Sequence, residues 1–262
     1  MTTPSAERSR PAQRQTEIAE YVVSHGSVAA TDLAEQFGVS LMTIHRDLDE
    51  LERQGVVRKH RGGVSAQPSS VFESNVSYRL QAALAEKQAL ARRARELVEP
   101  GMAVMLDDST STLELARLLD GITPLTVVTN FLETVKLLAG RPGIRLLALG
   151  GEYHPTHDSF LGVPCIEAIE ALRVDLLFAS TSAIADGYAY HQEQEIVLVK
   201  RAMMRCADRS VLMVDHTKLG HAALHRLASL RDFELVLTDE RAPKASLDEM
   251  REHGVKYEVA DS

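Results

Sequence analysis

Tryptophan is absent from this chain of 262 residues, aromatic residues make up only 5% of it, and cysteine occurs twice. Cys165 and Cys206 stand far apart with no Cys-x-x-Cys spacing, so no disulfide framework is expected. No stretch approaches the roughly 18 consecutive apolar residues of a membrane span, and no signal peptide is read at the start. A reducing cytoplasm is the expected setting. Charge of one sign is also in short supply, because a formal net charge of −8 excludes a globally basic nucleic-acid coat. Yet Arg53 to Arg61 holds four Lys or Arg residues and no acid, so basic charge is concentrated locally.

What is present is organised around Gly38 to Gly63. Ser40 precedes a run in which Leu41, Ile44, Leu48 and Leu51 recur at spacings of three, four and three, which predicts a helix with an apolar stripe. Its early turns offer Met42, Thr43, His45 and Arg46, which include donors for phosphates and base edges. Later turns carry Asp47, Asp49, Glu50 and Glu52, which a phosphate backbone would repel. Gly55 stops the helix, and Val56 to Val64 reads as two short strands joined by a basic, glycine-rich turn bearing Arg58, Lys59 and Arg61. Upstream, Ile18 with Val22 and Leu33 with Phe37 mark two shorter helices before the Gly38-Val39-Ser40 turn. Together these predict a winged helix-turn-helix. Thr43, His45 and Arg46 are expected to read bases, and Arg58, Lys59 and Arg61 to hold phosphates or an adjoining groove of double-stranded DNA.

At these residues the chain resembles the DeoR family of bacterial transcription regulators. The family signature stands here as Ser40, Thr43-Ile44, His45-Arg46 and Asp47-Leu48, with His45-Arg46 where the family usually has two arginines.

Residues 1–13 read as a polar arm in which Arg8 and Arg10 are candidate DNA contacts, 14–66 as the DNA-binding domain, and 67–77 as a Ser-rich linker containing Pro68. From 78 to 262 a helix over Tyr78 to Leu97 precedes β-rich runs at 103–106, 125–129, 145–149, 175–180, 211–215, 235–238 and 256–259. Helical stretches near 112–119, 131–139, 164–172, 195–207 and 246–253 separate most of them. This alternation predicts an α/β domain built on a mainly parallel, Rossmann-like sheet, with ligands bound at the carboxyl ends of its strands.

The polar residues at those strand ends are the candidate ligand contacts. Asp107 and Asp108 lead into the hydroxyl run Ser109, Thr110, Ser111 and Thr112 at a helix start, a pattern that suits an anion, although one hydroxyl is enough for an N-cap. The two carboxylates suit sugar hydroxyls or loop ordering better than a phosphate. Thr129 with Asn130, Gly150 with Gly151, and Ser180 with Ser182 end later strands. Asp186-Gly187, Lys200, Asp215 and Lys218 complete the set. Neither sequence neighbour of Lys200, Val199 or Arg201, is an acid; Glu195, five residues earlier on the same predicted helix, could line the cleft, but nothing in the sequence poises it as a base. His154 and His157, and His216, His221 and His225, read as solvated loop histidines, so no metal and no cofactor is expected.

Residues 78 to 240 are similar to the family's sensor domain. Glu86-Lys87, Leu106-Asp107, the hydroxyl run, Val128-Thr129-Asn130, Gly150-Gly151, Gly162, Asp175, Val199-Lys200-Arg201-Ala202, Asp215, Lys218 and Thr238-Asp239 fall in order. The family commonly has Gly-Thr-Thr where Ser109-Thr110-Ser111 stand. The resemblance implies a fold similar to ribose-5-phosphate isomerases and glucosamine-6-phosphate deaminases, used to bind a phosphorylated sugar or polyol. It implies a non-enzymatic repressor of carbohydrate metabolism genes acting as a homodimer or homotetramer. Two alternatives stay open: an isomerase- or deaminase-like enzyme with a DNA-binding head, and a DNA-binding protein whose second domain only oligomerises.

Overall fold

The structure is a computed structural model that describes residues 11–66 and 75–261. The arm residues Arg8 and Arg10, and the linker from 67 to 74 with Pro68, lie outside the described residues. The chain divides into two compact units, Met1–Ala82 and Ala83–Ser262.

The first unit is a winged helix. Its order is α1 (Pro11–His25), β1 (Ser27–Ala29), α2 (Ala30–Gln36), α3 (Leu41–Arg53), β2 (Val57–His60) and β3 (Gly63–Ala66). Ser40 caps α3 by accepting from the Thr43 N–H at 3.2 Å, which satisfies one orphan donor at the helix start. Ile44, Leu48 and Leu51 pack with Ile18, Val22, Leu33, Val57 and Val64. Leu41 departs from the expected stripe and is 42% exposed, because it sits at the first position of the helix, beyond the packed turns. β3 lies between β1 and β2 in an antiparallel sheet. β1 was not foreseen, three residues being too few to show a period. A side chain at Gly63 would stand 2.6 Å from the Val28 carbonyl oxygen, so the close approach of β1 to the wing requires glycine there.

Asp47 stands apart from the other acids of the later turns of α3. It is 2% exposed and accepts a forked pair of hydrogen bonds from Arg14, Nε to Oδ2 at 2.7 Å and Nη2 to Oδ1 at 3.2 Å, with Gln15 donating at 3.0 Å. The pair ties α1 to α3.

The second unit is built on seven strands: β4 (Ala103–Leu106), β5 (Leu125–Thr129), β6 (Ile144–Ala148), β9 (Val174–Ala179), β12 (Ala207–Met213), β14 (Leu235–Asp239) and β15 (Tyr257–Ala260). All are parallel, in the order β15-β14-β12-β9-β4-β5-β6. Alternate residues serve opposite faces. Val104, Leu106, Leu176 and Phe178 pack with the helix Leu84–Arg95, while Met105, Leu177 and Ala179 pack with the helices Gly162–Glu170 and Gln194–Cys206. The chain runs outward from β4 through β5 to β6, returns to β9 beside β4, then runs outward again through β12. β4 and β9 therefore form a topological switch point, the place where open α/β sheets generally bind ligands.

Differences from the sequence expectation are local. The helix foreseen over 78–97 is two pieces, Val76–Arg79 and Leu84–Arg95, broken where Ala83 adopts φ +49°. Two short sheets were missed. One is the hairpin β7 (Glu152–His154) and β8 (Ser159–Leu161). The other comprises β10 (Ala183–Ala185), β11 (Tyr188–His191) and β13 (His225–Ser229). No described helix is long and apolar enough to cross a membrane.

Removing Arg14 strands a buried carboxylate. Arg14→Ala is expected to destabilise the DNA-binding unit by about 3 kcal/mol in a denaturant titration. A loss below about 0.5 kcal/mol, typical of exposed pairs, would show the pair to be ornamental.

Candidate functional site

On the winged helix, Met42, His45 and Arg46 are exposed on the early turns of α3, with Thr43 partly buried and its hydroxyl 2.8 Å from that of Ser40. Arg58 and Arg61 are exposed on the wing, whose two-residue turn is Arg61-Gly62 with Gly62 at φ +88°. Lys59 is drawn back instead: its ammonium pairs with Asp49, and its backbone N–H donates to Glu52 at 2.8 Å. The acidic later turns of α3 thus clamp the wing, leaving Arg58 and Arg61 as its outward cations.

In the second unit a buried ion pair lies at the switch point. The Lys200 ammonium, from the helix Gln194–Cys206, pairs with Asp107 and stands 3.1 Å from Asp108. All three residues are at most 3% exposed. The acids absent from the sequence neighbourhood of Lys200 are therefore supplied from the end of β4. Burial alone would lower the Lys200 pKa, but the two carboxylates outweigh it and hold the ammonium above its ordinary value. Asp107 Oδ1 accepts from the Ser109 N–H and the Thr112 hydroxyl, and Oδ2 from the Ser180 N–H at 2.8 Å. Asp108 Oδ2 accepts from the Ser159 hydroxyl at 3.0 Å. Lys200 is therefore paired with two carboxylates at once.

The hydroxyl run divides by role. Ser109 is the N-cap of the helix Thr110–Ala116, and Thr112 bonds back to the Asp107 loop. Both shape the turn. Thr110 and Ser111 are buried beside them, and no side-chain hydrogen bond is seen for Ser111 among the described residues. Thr129 accepts from the Phe131 N–H and orders its own turn. Asn130 is fully buried and donates to the Phe160 carbonyl at 3.0 Å, while its Oδ1 has no partner. Such an oxygen is costly unless a ligand or water reaches it.

Four candidate residues have structural roles. A side chain at Gly151 would meet the Leu161 carbonyl at 2.3 Å, whereas one at Gly150 would enter open space. Ser182 donates its N–H to the Tyr190 carbonyl. Asp186-Gly187 is the two-residue turn joining β10 to β11, both residues at positive φ, with Gly187 donating to Glu249. Glu195 is exposed.

A second polar cluster follows β12 and β14 along the same sheet edge. Burial would raise the Asp215 pKa, yet the ammonium groups of Lys218 and Lys87 and hydrogen bonds from Thr217 hold it below the usual carboxylate range. Lys87 is 5% exposed and belongs to the family pattern, and its place beside Asp215 was not foreseen. Glu86 beside it pairs with Arg241 at 2.8 Å. The hydrogen bond to Asp239 raises the His216 pKa. Burial would raise Asp239, but hydrogen bonds from His216 lower it on balance.

The expectation of solvated loop histidines fails at His157, which is 1% exposed and bonded through Nε2 to Glu193 at 2.8 Å. The turn between β7 and β8 folds it inward against the residue preceding the helix Gln194–Cys206. His225 lies in β13 and His221 bridges to Ile184, so these two form no helical pair.

A winged helix followed by an α/β unit with polar residues gathered at its switch point is the architecture of a ligand-responsive DNA-binding regulator. The comparisons carry this further. The DeoR C terminal sensor domain matches residues 82–240, and the DeoR-like helix-turn-helix domain matches residues 14–70. The chain belongs to the DeoR family of transcriptional regulators. Among similar proteins is the putative aga operon transcriptional repressor of Escherichia coli O157:H7, 32% identical over 93% of this chain and 92% of that protein. Another is the glycerol-3-phosphate regulon repressor of E. coli K12, 30% identical over 94% of this chain and 98% of that protein. A ribose 5-phosphate isomerase of Methanocaldococcus jannaschii overlaps 51% of this chain and 53% of its own at 17% identity with a TM-score of 0.37, too little to add to the fold seen directly.

For the His216–Asp239 pair the signs are opposite. Stability from the raised histidine is complete below its ordinary value of 6.5 and is lost as pH rises through the folded value. Stability from the lowered carboxyl is present above its ordinary value of 3.8 and is lost as pH falls through the folded value. The pair therefore contributes most between the two. Asp239→Asn is expected to bring the His216 titration, followed by NMR of its ring protons, back toward 6.5; an unmoved midpoint would remove Asp239 as the cause.

Proposed function

We propose that this regulator represses carbohydrate metabolism genes in the cytoplasm and responds to a phosphorylated sugar or polyol held at the switch point. One observation carries the reading. A fully buried Asn130 with an uncommitted oxygen, a buried Ser111 hydroxyl and the Asp107–Asp108 pair gather where β4, β5 and β9 end, an arrangement suited to polyol hydroxyls. Lys218, with Lys87 beside the same Asp215, supplies positive charge two strands along for the phosphate. The printed names of relatives support the same class, among them a lactose phosphotransferase system repressor of Staphylococcus epidermidis. Residues 14–66 bind operator DNA, 67–77 connect, and 78–262 sense, with 1–13 as an arm.

The ligand is bound rather than turned over. Lys200 is held by two carboxylates, and Glu195, the carboxylate weighed as a base, is exposed to solvent. One winged helix buries too little surface for tight operator binding, so a homodimer or homotetramer places paired modules on repeated half-sites.

The direct test is fluorescence anisotropy of operator DNA with the full chain, against a panel of phosphorylated sugars and polyols and their unphosphorylated counterparts. A change in DNA affinity with a phosphorylated compound alone is expected. No response to any of them would favour the oligomerisation reading, and turnover of one would favour the enzyme reading. Lys218→Ala is expected to keep DNA affinity and lose the response; a retained response would take Lys218 out of the site. Arg46→Ala is expected to abolish discrimination of operator from other DNA, while Arg61→Ala weakens binding to all DNA and reduces the salt slope by about 1. An unchanged slope in Arg61→Ala would move the wing off the phosphates.

A further inference from the structure

Beside the switch point, three side chains from two separated segments converge. His154 ends β7, His157 is the third residue of the four-residue turn into β8, and Glu193 precedes the helix that carries Lys200. Their nearest donor atoms all lie within 4.8 Å of one another. We propose that His154, His157 and Glu193 bind a divalent transition metal ion of the zinc type.

The donor set is the first argument. Two imidazoles and a carboxylate are the ligands zinc takes in three-ligand sites that keep a fourth position open, whereas magnesium and calcium prefer an all-oxygen shell. The second argument is His154 Nδ1, which is buried and has no hydrogen-bond partner. An unpaired buried nitrogen is costly, and a metal–nitrogen bond removes that cost. The third is support around the ligands. Tyr153 donates to Asp158 at 2.6 Å, and the Asp158 carbonyl accepts from the Leu132 N–H at 3.0 Å, so the turn holding His157 is pinned on both sides. The Glu193 N–H donates to His191 Nδ1 at 3.2 Å, which fixes the segment bearing the carboxylate.

The distances fit with small movement. Ligand atoms about 2.0–2.1 Å from a tetrahedral ion stand roughly 3.3 Å apart. The 2.8 Å between His157 Nε2 and Glu193 Oε1 opens slightly, and the proton they share leaves when the ion binds. His154, the half-buried member, closes the remaining gap from the end of its strand. Ser159, two residues after His157, bonds to Asp108, so this site adjoins the ion pair at the switch point.

The test is equilibrium dialysis of the tag-free full chain against zinc alone, with metal content measured by plasma emission. About one zinc per chain is expected. His154→Asn and Glu193→Gln should each weaken binding roughly tenfold or more, with metal-free unfolding midpoints near the wild-type value because neither side chain is fully buried. Absence of bound zinc in the wild-type chain would overturn the proposal. So would undiminished binding by both variants, which would place zinc on other histidines, or equal retention of magnesium, which would contradict the donor chemistry.

Discussion

The second unit depends on the ion pair between Asp107 and Lys200. Asp107 follows the central strand β4; its N–H donates to Phe178 of β9, and its carboxylate gathers the Ser109 and Ser180 amides, the Thr112 hydroxyl and the Lys200 ammonium. Burying two charges costs several kcal/mol per ion, so such a pair persists only where most of its hydrogen-bonding capacity is met. Here those donors come from both sides of the point where strand order reverses. The consequence is a polar floor at the switch point, with the lysine already paired. The positive charge proposed to meet a phosphate, Lys218 with Lys87, lies farther along the sheet edge.

A parallel economy operates on the winged helix. Buried Asp47 holds α1 against α3 through Arg14, and exposed Asp49 and Glu52 hold the wing through Lys59. Acids that would repel DNA are spent on internal pairing. Arg46, Arg58 and Arg61, which face outward, are the cations proposed to meet a phosphate or a base.

Much of this was legible in the sequence. The seven strands of the parallel sheet fell near their expected positions, because each is an apolar run with a turn at its end. The hidden parts share a cause, which is contact across sequence distance. Lys200 and Asp107 are 93 residues apart and His157 and Glu193 are 36 apart, so no local pattern announces either pairing. Strands of three residues, such as β1, β7, β8 and β10, show no usable period. Asp186-Gly187 read as a carboxylate beside a permissive turn, and that turn joins β10 to β11, a hairpin the short strands did not announce. The acidic turns of α3 were visible, but only the fold separates Asp47, turned inward, from Asp49.

The most direct measurement is a double-mutant cycle on the pair that organises the switch point. Lys200→Met, Asp107→Asn and the double variant would be compared by denaturant titration of the full chain. Because Lys200→Met strands two buried carboxylates while Asp107→Asn leaves Lys200 paired with Asp108 alone, the account predicts a coupling energy of at least about 2 kcal/mol, with the double variant less damaged than the sum of the singles. Additivity within about 0.5 kcal/mol would contradict it, and would mean that Asp107 orders its loop without depending on Lys200.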